Sequence, residues 1–264
     1  MSGIQKIFLN KTVQSWLWLA LILLVWEAVS RAGIVNRHIL PPFSLVLERL
    51  CNELLTGKLG PQICNSLLVI LQGFALSAAL AAVLFLLCIR LPFLTNLVTM
   101  LCAVCNPLPG IALLPLIIMW FGVSTGAMLA LIVHGVLWAL MTQMLEGYHG
   151  IPAVYREWGR NINLTPMRML TGIVIFAVMP GIIAGLRIGW GRAWRALISA
   201  EMLFGMIGQL GGLGYYIYTS RAYANLTNVM AGVLSIIVIG ITVESLLFAQ
   251  WEKRTIRKWG MAHE

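Results

Sequence analysis

The sequence of 264 residues contains no aspartate. Its nine acidic side chains are all glutamates, against eighteen lysines and arginines, and charge of either sign makes up only 10% of the chain. A soluble domain carries about 25% charged residues, so this chain lacks the charge to cover a water-facing surface. The missing aspartate excludes a phosphate-binding ATPase built on a Walker B aspartate. No G-x-x-x-x-G-K-S/T phosphate loop occurs either, so an ATP-driven process would need a second protein to hydrolyse the nucleotide. No Ser-His-acid set, paired carboxylates or metal-ligand cluster suggests catalysis, and neither a metal nor a cofactor is expected. Cys102 and Cys105 form a lone C-x-x-C without nearby histidines; with Cys51, Cys64 and Cys88 they are expected as small apolar filler. The net charge of +9 does not point to nucleic acid, because the cations gather at the ends of apolar runs instead of forming a basic face.

What the chain has is hydrophobicity: 60% of its residues are apolar and the mean hydropathy is +0.89. Apolar runs long enough to cross a ~30 Å hydrocarbon core recur along it. The reading is an all-α membrane protein, a polytopic bundle of about six transmembrane helices forming one domain over 1–264. The spans are expected at 13–30, 63–89, 93–121, 126–146, 171–200 and 226–250. With no small-residue cleavage site after it, the first is read as a retained span and not a signal peptide. Prolines 107, 109 and 115 interrupt the third span. They free backbone carbonyls, which lipid cannot satisfy, so this region is expected to be broken and buried in protein. An amphipathic stretch capped by Ser44 precedes the second span, and Gly205 to Asn225 reads as a Gly- and Tyr-rich loop.

Six spans put both termini on one side, and the cations choose which. Lys6, Lys11, Arg90, Arg156, Arg160, Arg168, Lys253, Arg254, Arg257 and Lys258 fall on that side; Arg31, Arg37, Arg49, Lys58 and Arg221 fall on the other. Positive charge is retained in the cytoplasm, so both termini and the 147–170 loop are expected there.

That loop carries structure. Pro152 suits a first helical turn, and Val154, Trp158 and Ile162 recur at i, i+4 and i+8. Asn163 stands where a left-handed residue would close such a helix. An apolar stripe outside the membrane needs a surface to bury it: its own bundle, the lipid surface or another protein.

Several separated segments then resemble, in order, the permeases of ABC importers, of type I fold. Glu157-Trp-Gly-Arg-Asn-Ile-Asn163, Pro180-Gly-Ile-Ile-Ala-Gly-Leu-Arg187 and Gly191-Arg-Ala-Trp194 resemble their EAA loop and the span after it. Leu40-Pro-Pro-Phe-Ser44, the segment from Asn106 to Gly122, Glu201-Met-Leu203 and Gly211-Gly-Leu-Gly-Tyr-Tyr-Ile217 are similar to segments of the nitrate/sulfonate/taurine group. Trp158, Gly159 and Asn163 depart from the pattern's two alanines and glycine, and Phe176 from its first proline in the fifth span.

The resemblance implies the membrane subunit of an ATP-driven importer in the bacterial inner membrane, working by alternating access. Its implied partners are a cytoplasmic ATPase dimer that binds the ATP, an extracytoplasmic substrate-binding protein, and a second copy of the permease. The substrate would be a small anionic or heterocyclic solute such as nitrate, sulfonate or taurine. It also implies that Val154, Glu157, Trp158, Gly159, Ile162 and Asn163 form the coupling helix, with Glu157 exposed to the ATPase and Gly159 allowing its close approach. The rival reading is a secondary transporter or channel without an ATPase. Such proteins usually carry internal repeats and ionisable residues at the membrane midplane; no convincing repeat is present.

Gly181, Gly185 and Gly189 form overlapping G-x-x-x-G units and are read as helix packing. Arg187, Arg192 and Arg195 lie in or near the fifth span with Glu201; ionisable groups there are pathway or structural candidates. Arg187 and Glu201 lie about 21 Å apart along one helix and cannot pair within it. His134, the only histidine inside a span, is expected as a packed, hydrogen-bonded group over a cavity-lining one. Glu27, Glu146 and Glu244 sit at span ends, solvated or paired.

Overall fold

The computed structural model describes residues 11–55, 57–205 and 211–257. The cations Lys6 and Lys258 of the charge count lie outside them. Ten helices account for nearly all of these residues: α1 Lys11–Arg31, α2 Phe43–Leu55, α3 Leu59–Arg90, α4 Pro92–Cys105, α5 Gly110–Phe121 and α6 Thr125–His149, then α7 Ala153–Asn161, α8 Pro166–Phe204, α9 Leu213–Ala222 and α10 Leu226–Thr255. Five of them are long and apolar enough to cross a membrane, and the bent pair α4–α5 brings the number to six.

The helices outrun the expected spans, because a helix need not stop at the hydrocarbon boundary. The helices of the fourth and fifth spans run on to His149 and start at Pro166, leaving 150–165 between them. The helices of the fifth and sixth expected spans also contain π-helical turns, at Leu170–Val174 in α8 and at Val243–Phe248 in α10. Gly205 to Asn225 is not all loop, since Leu213–Ala222 is helical.

Contacts divide the chain, read from sequence as one domain, into two compact units. One comprises 1–60 and 216–235. Here α1 is tied to the segment after it: Trp26 Nε1 donates to the Pro41 carbonyl at 3.0 Å and Ser30 Oγ to the Leu40 carbonyl at 2.7 Å. Glu27 pairs with Arg31 and accepts from the backbone N–H and hydroxyl of Ser44. Ser44 therefore serves Glu27 and lies inside α2, where the sequence suggests a cap. Most of α1 faces outward, with Trp16 67% and Leu24 66% exposed, as a lipid-facing surface requires.

The second unit comprises 61–215 and 236–264, and its centre is the pair α6–α8. Gly181, Gly185 and Gly189 lie along their contact. A Cβ at Gly185 would stand 2.8 Å from Leu140 Cα, one at Gly189 3.1 Å from Val136 Cα, and one at Gly181 would collide with the Gln143 carbonyl. Only hydrogen at those positions lets two backbones approach this closely. Around the pair sit Phe85, Cys88, Val98, Met141, Leu145 and Val178, all buried.

The third span breaks between α4 and α5 with a bend of 107°. Pro107 and Pro109 cannot donate the N–H groups a continuous helix needs. Asn106 holds the corner: its Nδ2 donates to Thr142 Oγ1 at 2.8 Å, and its Oδ1 accepts from Arg192 Nη1 at 2.7 Å. Contrary to the expected burial of this region, α5 buries Leu114 and Ile117 while Met119 and Trp120 remain 78% and 70% exposed within the single chain.

Candidate functional site

The short helix α7 lies between the fourth and fifth spans and is built to keep its shape. Pro152 precedes it with extended ψ, supplying a fixed φ at the helix start. At the other end Asn163 takes φ +53°. Its N–H donates to the Arg160 carbonyl and that of Leu164 to the Gly159 carbonyl, each at 2.9 Å. This is a Schellman closure, which needs one left-handed residue; asparagine tolerates that geometry better than most side chains. Arg156 anchors the helix to the end of α6. Its guanidinium donates to the Tyr148 and Ile151 carbonyls and stands 5.1 Å from the Tyr148 ring centroid. Sequence reasoning counted Arg156 only as a cytoplasmic charge; nothing in its spacing announced the anchor.

The two faces of α7 differ. Gly159 is buried, and a Cβ there would stand 2.6 Å from the Met169 methyl and 3.2 Å from Ile173 Cδ1. Gly159 thus permits approach of α7 to the chain's own α8, not of a partner surface, correcting the role given it above. Val154, Trp158 and Ile162 are 62%, 57% and 49% exposed, and Glu157 is exposed beside them.

Glu201, a pathway or structural candidate, is buried, and among the described residues no cation pairs with it. Ser66 Oγ donates to it at 2.8 Å, and the backbone N–H of Gly214 donates to its Oε2 at 2.8 Å. The Leu213 N–H in turn reaches Ser66 Oγ at 2.8 Å, and Asn65 Nδ2 donates to the Gly211 carbonyl at 2.7 Å. Carboxylate and hydroxyl together satisfy the first N–H groups of α9, where a helix favours negative charge. Gly214 is required there, since a Cβ would lie 2.6 Å from Glu201 Cβ.

Arg187 is half exposed and pairs with Glu244 at 2.8 Å, with Glu252 at 3.8 Å. Glu201 and Arg187 are thus each occupied in holding helices together. His134 differs from its expected packed, hydrogen-bonded role: neither ring nitrogen has a partner among the described residues, and the ring lines a cavity of about 320 Å³ at the α4–α5 corner. Arg192 and Arg195 line the same cavity. The structure therefore separates Arg187, Glu201 and His134 into three places.

Five or six apolar spans and a glycine-packed helix pair define a polytopic α-helical membrane protein, with a short interspan helix on which Val154 and Trp158 are exposed. Residues 73–257 match the family of binding-protein-dependent transport system inner membrane components, and the chain belongs to that family. It is 26% identical to a Bacillus subtilis protein named "Putative aliphatic sulfonates transport permease protein SsuC", over 93% of this chain and 87% of that one. It is 26% identical to the taurine transport system permease protein TauC of Escherichia coli, over 86% and 82% of the two chains. With the nitrate import permease protein NrtB of Synechocystis it shares 24% identity over 91% and 88%.

Proposed function

We propose that this chain is the membrane subunit of an ATP-driven importer, forming the substrate pathway as a pair of copies and coupling through α7 to a separate cytoplasmic ATPase. The observation that carries the reading is the exposed set Val154 and Trp158 on α7 with Ile162 just past its end, on a helix that starts after Pro152 and closes at Asn163. A backbone already held in a fixed helix lowers the ordering cost when a partner covers its apolar side chains. Arg156 and Gly159, binding α7 to α6 and α8, give that helix a mechanical link to the core of the bundle. Motion imposed on α7 would reach the α6–α8 pair.

Both termini then face the cytoplasm, with α7, by the cation distribution along the chain. A binding protein would deliver substrate to the opposite face. The names of the relatives support a small anionic solute, an organosulfonate or nitrate, as the cargo. The exposed apolar face of α5 gives a second permease copy a surface to cover.

The test is co-purification of the ATPase with the full chain and transport by the complex. Trp158→Glu is expected to leave membrane abundance near normal, release the ATPase and lower transport at least tenfold. Retained ATPase with full transport would remove α7 from the coupling role. Transport by the chain with no ATPase present would favour the secondary-transporter reading instead.

A further inference from the structure

We infer that the cavity at the α4–α5 corner is a binding site for a small oxyanion, held by Arg192, Arg195 and the N-terminus of α5. The inference rests on the permease reading for its purpose, though not for its chemistry. Arg192, partly buried, and Arg195, exposed in the single chain, line the cavity, with no acidic residue among the described lining residues. Among the described residues, no ion pair engages either arginine, and Arg192 has only the neutral amide oxygen of Asn106 as partner. Unneutralised cations within a bilayer-spanning helix are costly, and their natural compensation is an anion that enters the cavity.

Three further features converge on the same space. Pro109 and Gly110 line it at the start of α5, where no side chain caps the helix. Its first N–H groups carry the positive end of the helix dipole. His134 lines the same cavity with both ring nitrogens unpartnered among the described residues, able to supply one N–H donor in its neutral form. The 107° break in the third span thus turns a helix N-terminus towards two arginines. A volume of about 320 Å³ is ample for nitrate or a short organosulfonate. The planar guanidinium fork matches the paired oxygens of such anions better than a point charge would.

Cys105 lines the cavity and is a free thiol, so the site can be read without adding a probe residue. The full chain, in discs of zwitterionic lipid, is treated with anionic and cationic methanethiosulfonates of similar size. Labelling is followed at each cysteine by peptide mass spectrometry, with exposed Cys51 and Cys64 as internal references. The anionic reagent is expected to react at Cys105 about tenfold faster than the cationic one, relative to those references. Nitrate or methanesulfonate should slow it, whereas choline should not. Arg195→Gln should remove the preference and the protection; Arg195→Lys should restore part of both, which separates charge from fold. Equal rates for the two reagents, no labelling of Cys105, or no protection by either anion would each overturn the site. Loss of the preference on adding phosphatidylglycerol, with no protection by nitrate, would assign the cavity to lipid headgroups and overturn the solute site. None of these readouts involves the ATPase, so their failure and the failure of α7 coupling are distinguishable.

Discussion

At the scale of single residues, Glu201 illustrates how a buried carboxylate is held by hydrogen bonds. Its oxygens accept from the Ser66 hydroxyl and the Gly214 N–H, and Ser66 accepts from the Leu213 N–H. Removing the carboxylate leaves buried donors unpaired, each costing about 1–3 kcal/mol. Glu201→Ala is therefore expected to lower the melting temperature of the detergent-solubilised chain clearly, and Ser66→Ala to lower it by less. Because the two groups share partners, the double variant should be less destabilised than the sum of the singles. Additive losses would show that they do not act as one cap. None of this could be read from sequence. Glu201 was visible as an ionisable residue in a span, but its partners lie 135 and 13 residues away, and only folding joins them. His134 was misread for the converse reason: a span residue is expected to find a partner, and the broken third span opens a cavity instead.

At the scale of elements, α7 was the most legible part of the molecule. Its stripe has helical period, and both of its ends carry residues with backbone preferences that act locally. Asn163 at φ +53° makes this checkable. Asn163→Ala should cost about 1 kcal/mol, since a β-carbon is disfavoured in left-handed geometry, while Asn163→Gly should be near neutral. Gly159 belongs to a different class from the stripe around it. Gly159→Leu would drive a side chain into Met169 and Ile173. It is expected to lower stability and expression along with transport, whereas Trp158→Glu should spare stability. Thermal melting of the two variants beside their ATPase retention separates internal packing from partner contact; identical stability would return Gly159 to the outer face. The sequence alone could not decide this, because period 3.6 gives the faces of a helix but not which face meets the bundle.

At the scale of the whole molecule, orientation is the property with the widest consequences. A cysteine replacing Lys58 should be labelled by an impermeant reagent added outside intact cells, and one replacing Arg160 should not. Labelling of Arg160→Cys from outside would reverse the topology and put α7 on the wrong side for a cytoplasmic ATPase. The sequence by itself determined the class of protein and the place of the interspan helix. Those follow from hydropathy, chain length against bilayer thickness, and the backbone limits of proline, glycine and asparagine, all of which act over a few neighbouring residues. It also held the glycine stripe of α8, since spacing of four is a local pattern. Only the tertiary structure decided which helix that stripe meets, that Arg187 pairs with Glu244, that Glu201 caps α9, and that Arg192, Arg195 and His134 surround one cavity. Those are meetings between side chains far apart in the chain, fixed by how bent and packed helices fill space.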